Sequence, residues 1–458
     1  MKKTLILGLA ALATASLVPL AEAGEVKLGG NYFGRWQAYD ANMIDEAAGT
    51  TTGEGYVQDL QLNMDMIASE KSHAHMRVLV LDSARIEGAD LGSVSPTAAS
   101  DQVTQTTATA AEFGNIPDPW EIRQAWLETE AWGIGIKFGE MPLSLNDSIL
   151  VGDDLSSNGG LLLSKTFGDI TAVVGNIRIN EDMAAGASSR ESTGANSDDA
   201  NLWAASLFGK AGLADYNLTL AYADIGKASD FMEVLEGVCV ASNAATCATT
   251  DGSNLWVALT LSGKLGAVNA VATGIYENGY DLAVDTTGAK PKNLWEKSGM
   301  LGALRLNGST PFGEWNSYGF IATQGFNNIT NDNMIWSATW DQGGPGNVDL
   351  LNVFASSAGA AGVGNTSPSE NMSGLGMGLK VKAGGWTINP MIDYAAVTKN
   401  SASDVMDSAF GGSLLLSTMI QKDTTLMLEA AMIDPKSINN AIAEDNAYYA
   451  QAGVQLVF

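Results

Sequence analysis

The last eight residues, Gln451-Ala452-Gly453-Val454-Gln455-Leu456-Val457-Phe458, alternate strictly between the two faces of a β-strand. One face is apolar as far as the terminal phenylalanine, and the other carries both glutamines. A strand of this kind with a free edge would offer unpaired backbone groups to a second chain. Closure of the sheet into a barrel removes that edge, and an ordinary soluble strand ending in Phe is the alternative.

The amino terminus has the three parts of a secretory signal peptide. Lys2 and Lys3 are basic, residues 4–20 form an apolar run, and Ala21-Glu22-Ala23 has the small-x-small form of a cleavage site. We therefore expect residues 1–23 to be removed and the mature chain to span residues 24–458. No later segment approaches the ~20 apolar residues that a membrane-spanning helix needs, so the sequence predicts crossing by strands.

The composition supports a barrel rather than a soluble enzyme. Charged residues make up 16% of the chain, below the ~25% that is typical of soluble domains, and 51 residues are glycine. An apolar lipid face, a polar lumen and polar loops together give such a mixture. The formal net charge of −27 makes nucleic acid a poor partner.

Alternating segments recur along the whole mature chain, and short and long connections follow each other in turn. We count about 18 such segments, which predicts an all-β fold: a closed antiparallel transmembrane β-barrel of 16–18 strands, with 18 favoured. The short connections predict periplasmic turns, and the long ones predict extracellular loops. The third long loop lies between the segments 134–141 and 161–167.

Tryptophans fall near the ends of these segments, where indole prefers the boundary between membrane and water. Those assigned to the loop ends are Trp36, Trp120, Trp203, Trp256 and Trp295. Trp132, Trp315 and Trp386 are assigned to the turn ends, so we expect an aromatic girdle at each end of the barrel.

Two sequence features resemble Gram-negative outer-membrane porins. The order polar, any, Gly, any, any, hydrophobic, any, aromatic resembles the assembly signal of outer-membrane barrels, and its positions here are Gln451, Gly453, Leu456 and Phe458. Residues 123–127 followed by 139–143 resemble the strand, turn and strand before the inward-folded third loop of trimeric porins. The nearest likeness is to porins of sulfate-reducing bacteria, although the acidic motif of enterobacterial constriction loops is absent.

The resemblance implies a passive channel for ions and small hydrophilic solutes in the outer membrane of a Gram-negative bacterium, without a cofactor. The implied partners are outer-membrane lipid, lipopolysaccharide, the barrel-assembly machinery and the other copies of a homotrimer. A structural or adhesive barrel, or the sheath of an envelope electron conduit, is the alternative from another functional class.

The resemblance also implies that residues 143–160 fold inward and narrow the pore. This loop carries Asp147, Asp153 and Asp154. The inward-facing residues that we expect to line the pore with them are Arg35, His73, His75, Arg77, Lys137 and Arg178. Carboxylates that face the basic wall of Arg35, Arg77 and Arg178 would set a transverse field and filter solutes by charge. The alternative is that these charges simply belong to a polar lumen.

His73 and His75 are the only histidines and share one face of a strand, a spacing that a metal site could use. Lys71 and Arg77 share that face and would repel a cation, so we expect a wet lumen lining and no metal. With so few histidines, most catalytic mechanisms lack their usual base, and we expect no enzyme.

Cys239 and Cys247 lie in one predicted external loop. In an oxidising envelope compartment such a pair usually forms a disulfide, and we expect one here.

Overall fold

The computed structural model describes residues 24–40, 52–85, 121–147, 149–180, 200–227, 251–278, 281–282, 298–323, 326, 330–331, 372–397, 406–437 and 446–458. Among these residues there is no helix long and apolar enough to span a membrane. The signal-peptide prediction, residues 1–23, and both cysteines fall outside the described part of the chain.

Twenty described strands form a single sheet. They are β1 (Glu25–Asp40), β2 (Thr52–Ser69), β3 (Ser72–Arg85), β4 (Glu121–Ala131), β5 (Ile134–Leu145), β6 (Val151–Phe167), β7 (Ile170–Asn180), β8 (Ala200–Ala211), β9 (Ala214–Lys227), β10 (Asp251–Leu265), β11 (Val268–Glu277), β12 (Asp281–Leu282), β13 (Gly299–Thr310), β14 (Gly313–Ala322), β15 (Thr330–Asn331), β16 (Met372–Ala383), β17 (Trp386–Val397), β18 (Met406–Gln421), β19 (Thr424–Ser437) and β20 (Ala447–Val457). Apart from the two-residue strands β12 and β15, these are the 18 strands expected from the sequence.

The sheet closes on itself through β1 and β20. These two strands pair antiparallel from Asn31↔Val457 to Asp40↔Tyr448. The last residue takes part, because Gly30 N donates to the Phe458 carbonyl oxygen at 2.8 Å and Phe458 N donates to the Gly30 carbonyl oxygen at 3.0 Å. The prediction of a closed antiparallel barrel is therefore confirmed.

One end of the barrel consists of tight turns. At each of eight hairpins only two residues separate the strands: 70–71, 132–133, 168–169, 212–213, 266–267, 311–312, 384–385 and 422–423. Trp132 and Gly133 have φ of 55° and 69°, the left-handed pair that a type I′ turn requires. The strand ends that the long connections join all lie at the other end of the barrel, as the alternation predicted.

Side chains alternate between the outer and inner faces of the barrel, as β10 shows. Val257, Leu259 and Leu261 are 40–41% exposed on the outer face, whereas Ala258 and Thr260 are buried on the inner face. The outer face is therefore the apolar one, which is the arrangement that contact with lipid requires.

The girdle prediction is wrong for one tryptophan. Trp203 is 56% exposed and points outward as expected, but Trp256 is 1% exposed and belongs to a cluster of buried inward-facing residues. Alternation explains the difference, because Trp256 shares its face with buried Ala258 and not with lipid-facing Val257.

Candidate functional site: a hairpin folded into the barrel

The hairpin of β5 and β6 is longer than the sequence predicts and leaves the barrel wall near its tip. The pairing of the two strands is regular up to Met141↔Asn158 and resumes at Leu143↔Asp153. Between these two pairs the chain advances by two residues on β5 and by five residues on β6. Extra residues on one strand bend a hairpin. Much of the predicted loop 143–160 is therefore paired strand.

The tip of this hairpin packs against the inside of the barrel through apolar side chains. Leu145, Ile149, Leu150 and Val151 are at most 7% exposed. They share one buried cluster with inward-facing residues of β7 to β14, which include Ile177, Leu202, Ala221, Trp256, Ile275, Leu301 and Phe320. Burial of this apolar surface holds the tip against that half of the wall.

Polar contacts fix the turn at the tip. Asn146 and Asp147 both have positive φ, 53° and 61°, a conformation that Asn and Asp tolerate better than most residues. Asn146 Nδ2 donates to Thr260 Oγ1 and to the Asn217 carbonyl oxygen, each at 3.3 Å. Asp147 accepts a hydrogen bond from Arg305 on β13 and forms an ion pair with it.

Burial raises the pKa of the Asp147 carboxyl above its ordinary value, and the Arg305 charge and hydrogen bond act in the opposite direction. Added acid therefore breaks the pair at a higher pH than it would protonate an ordinary exposed aspartate.

A second long connection reaches the same place. The short strand β15 pairs in parallel with Val151 and Gly152 of the hairpin. Phe326, from the same connection, is fully buried in the apolar cluster. The hairpin tip is thus held by the barrel wall and by an additional segment of chain.

The inner face of β2 to β5 is polar instead. His75 Nδ1 lies 2.6 Å from Asp65 Oδ1, and His73 Nε2 lies 3.5 Å from Glu128 Oε2. The side chains of Asp65 and Glu128 are each 47% exposed although they point into the barrel. Water therefore reaches this part of the lumen.

Trp126 lies at the centre of this polar wall. The His75 ring stacks on it with centroids 5.4 Å apart, and the His73 ring meets it edge-on, also at 5.4 Å. The Lys137 ammonium lies 4.1 Å from the indole centroid, within range of a cation–π interaction. The expected pore-lining residues His73, His75 and Lys137 therefore come together around one tryptophan.

The arginines on the polar wall have other neighbours. The Arg35 guanidinium carbon lies 5.3 Å from the Phe33 ring centroid, and Arg77 Nε donates to Asn63 Oδ1 at 3.3 Å. Neither is the partner of Asp147. The partner of Asp147 is Arg305, on the wall that the hairpin covers. That the loop carboxylates face Arg35, Arg77 and Arg178 across the lumen stays a prediction.

Three more of the predicted constriction residues lie on described strands. Asp153 and Asp154 lie in β6 and Arg178 lies in β7, but their side chains are outside the described part of the structure. Within the described residues, no group of three or more His, Cys, Asp or Glu is arranged to hold a metal ion.

Solved structures of outer-membrane porins have the same fold. OccK9 (OpdG) of Pseudomonas aeruginosa superposes with a TM-score of 0.53 at 13% identity over 95% of this chain and 99% of its own. The BenF-like porin of Pseudomonas fluorescens Pf-5 gives 0.53 at 12% identity over 95% and 99%. OccAB2 of Acinetobacter baumannii gives 0.51 at 12% identity over 94% and 98%.

No protein-family model matches the chain, and no curated protein matches it. At these identities the likeness shows the fold alone, an 18-strand porin barrel. The specific likeness to porins of sulfate-reducing bacteria stays a prediction.

Proposed function

We propose that this chain forms a water-filled channel for passive diffusion of ions and small hydrophilic solutes across the outer membrane of a Gram-negative bacterium. The proposal rests on one observation: the carboxylates of Asp65 and Glu128 are about half exposed although they lie on the inner face of a closed barrel. A barrel filled by its own side chains would bury such groups, and the loss of their contact with water would cost free energy.

The outer surface supports placement in a membrane. Every strand of a closed barrel finds its backbone partners within the sheet, and the apolar outer face needs no water. The fold shared with outer-membrane porins supports the same location. Outer-membrane lipid, lipopolysaccharide and the barrel-assembly machinery are the partners that this location requires, and a homotrimer stays part of the proposal.

The hairpin tip is the segment that we propose as the constriction. It covers the inner wall of β7 to β14, so the water-filled path runs between the tip and the polar wall of β1 to β5. Asp153 and Asp154 would then present carboxylates to the permeating ion, beside Asp147 in its ion pair with Arg305, and the basic groups Arg35, Arg77 and Lys137 would line the opposite side.

Planar-bilayer recording of the detergent-folded protein tests the channel itself. A porin gives stable open steps without any partner, whereas a structural barrel or a conduit sheath gives none.

Selectivity tests the constriction. We expect D147N/D153N/D154N to shift the reversal potential in a KCl gradient towards anions, because the proposed constriction loses three negative charges. The matched control E70Q/D169N/D423N removes three exposed carboxylates from the turns and should leave the potential unchanged. Equal shifts in the two triple variants would place the constriction elsewhere.

A further inference from the structure

Lys137 on β5 and Glu128 on β4 are directly opposite each other on the inner face of the barrel. Side chains of opposite charge at such positions ordinarily interact. Within the described residues, however, no ion pair joins these two. The Glu128 carboxylate has His73 Nε2 at 3.5 Å on the side of β3, and the Lys137 ammonium lies over the Trp126 ring instead. The lysine therefore faces an aromatic ring although a carboxylate lies opposite it.

Two other carboxylates of the same wall do contact a basic or imidazole group. Glu130 Oε1 accepts a hydrogen bond from Lys71 Nζ at 2.8 Å, and Asp65 Oδ1 lies 2.6 Å from His75 Nδ1. Lys137 differs from Lys71, because the group nearest to its ammonium is the indole, 4.1 Å from nitrogen to ring centroid. Its positive charge is therefore not neutralised by direct contact with a carboxylate.

The Trp126 ring is held in place by its neighbours on β3. The His75 ring stacks on it and the His73 ring meets its edge, each with centroids 5.4 Å apart. On the β5 side the register partner of Trp126 is Gly139, and a Cβ atom there would overlap the backbone of β4. Position 139 therefore places no side chain beside the ring, which leaves that side open to the lysine.

We propose that Trp126 is a positioning residue of the pore, whose ring holds the Lys137 ammonium away from Glu128. Lys137 then stays free to bind small monovalent carboxylates as they cross the pore. This inference rests on the proposed channel function and adds an anion subsite to it. An ammonium group has three N–H donors, so it can rest on the ring and still donate to a passing anion.

The subsite lies on the proposed water-filled path. The side chains of Glu128 and Asp65 are each 47% exposed, and Lys137 itself is only partly buried. In such a wet place a cation–π contact and an ion pair have similar strengths, so the ring is enough to decide which contact the lysine makes. Removal of the ring should therefore let Lys137 pair with Glu128.

Carbodiimide crosslinking reports this change directly, because it joins an amine to a carboxylate only when the two groups touch. In detergent-folded wild-type protein we expect little product between Lys137 and Glu128. Trp126→Leu should raise its yield, measured by mass spectrometry, roughly fivefold or more, whereas Trp126→Phe keeps a ring and should stay near the wild-type yield. Lys71 and Glu130, which are 2.8 Å apart, give the internal reference in every sample.

The crosslink separates this inference from the channel proposal, because it does not depend on conduction. Equal yields in wild type and Trp126→Leu, relative to the reference pair, would overturn the positioning role even if the channel conducts. The folded band in unheated SDS shows that each variant has closed its barrel. Trp126→Met fills more of the volume of the ring and takes the place of Trp126→Leu if that variant gives no folded band.

Conductance in potassium acetate tests the anion subsite itself. Trp126→Leu should raise the half-saturating acetate concentration roughly two- to fivefold, since acetate must then compete with Glu128 for the ammonium. Addition of Glu128→Gln should remove this increase, with Glu128→Gln alone as the matched control. In the Lys137→Gln background, where the ammonium is gone, Trp126→Leu should change nothing further. An equal increase with and without Lys137 would overturn the subsite.

Discussion

Leu150→Ala is the sharpest test of whether the hairpin tip sets the size of the pore. Leu150 is fully buried among the inward-facing apolar residues of β7 to β14. Truncation of a buried leucine to alanine costs about 2–5 kcal/mol. Leu150 contributes to the attachment of the tip and does not pair in the barrel sheet. The substitution therefore destabilises the conformation in which the tip is attached to the wall.

A loss of that size changes the ratio of attached to detached tip by roughly 30- to 4,000-fold, since about 1.4 kcal/mol corresponds to a factor of ten. We expect single-channel records of the variant to show added excursions to a larger conductance, while the folded band in unheated SDS stays as in wild type. Leu259→Ala, the same substitution on the lipid face of β10, is the control and should show neither change. Wild-type conductance and noise in Leu150→Ala would refute the assignment of the tip as the constriction.

Other parts of the chain give two further predictions. Deletion of Phe458, which hydrogen-bonds across the closing pair, should reduce insertion into the outer membrane while export continues; fractionated cells probed by immunoblot decide it. Cys239 and Cys247 should be joined in protein taken from cells, and two alkylatable thiols in unreduced peptides would contradict this.

The strands could be predicted from sequence because each one has a lipid face. Alternation locates a strand when one side is apolar and the other polar, and this condition holds around most of the barrel. It fails at the hairpin tip, where Leu143 and Leu145 of β5 are buried by other protein instead of lipid. The sequence therefore predicts a loop where the structure continues both strands.

The partner of Asp147 could not be predicted for a different reason. Arg305 alternates with outward-facing Met300, Gly302 and Leu304, so its inward direction is readable from the sequence. Which part of the wall a folded-in hairpin contacts depends on the bend between Met141 and Leu143, and no local pattern encodes that bend. Trp256 belongs to the same buried cluster as the tip, and that cluster could not be read from the sequence for the same reason.

The pairing of β1 with β20 also determines how the barrel must fold. The strands that complete the sheet come from opposite ends of the described chain, so the closing contact has nearly the greatest sequence separation that the chain allows. Contacts of this kind form slowly, because the loop entropy is lost before the contact stabilises anything. Until β20 arrives, β1 is an open edge that another copy could pair with, and aggregation competes with closure. Binding by a chaperone that covers β1 should therefore raise the yield of folded barrel more than it raises the rate of closure.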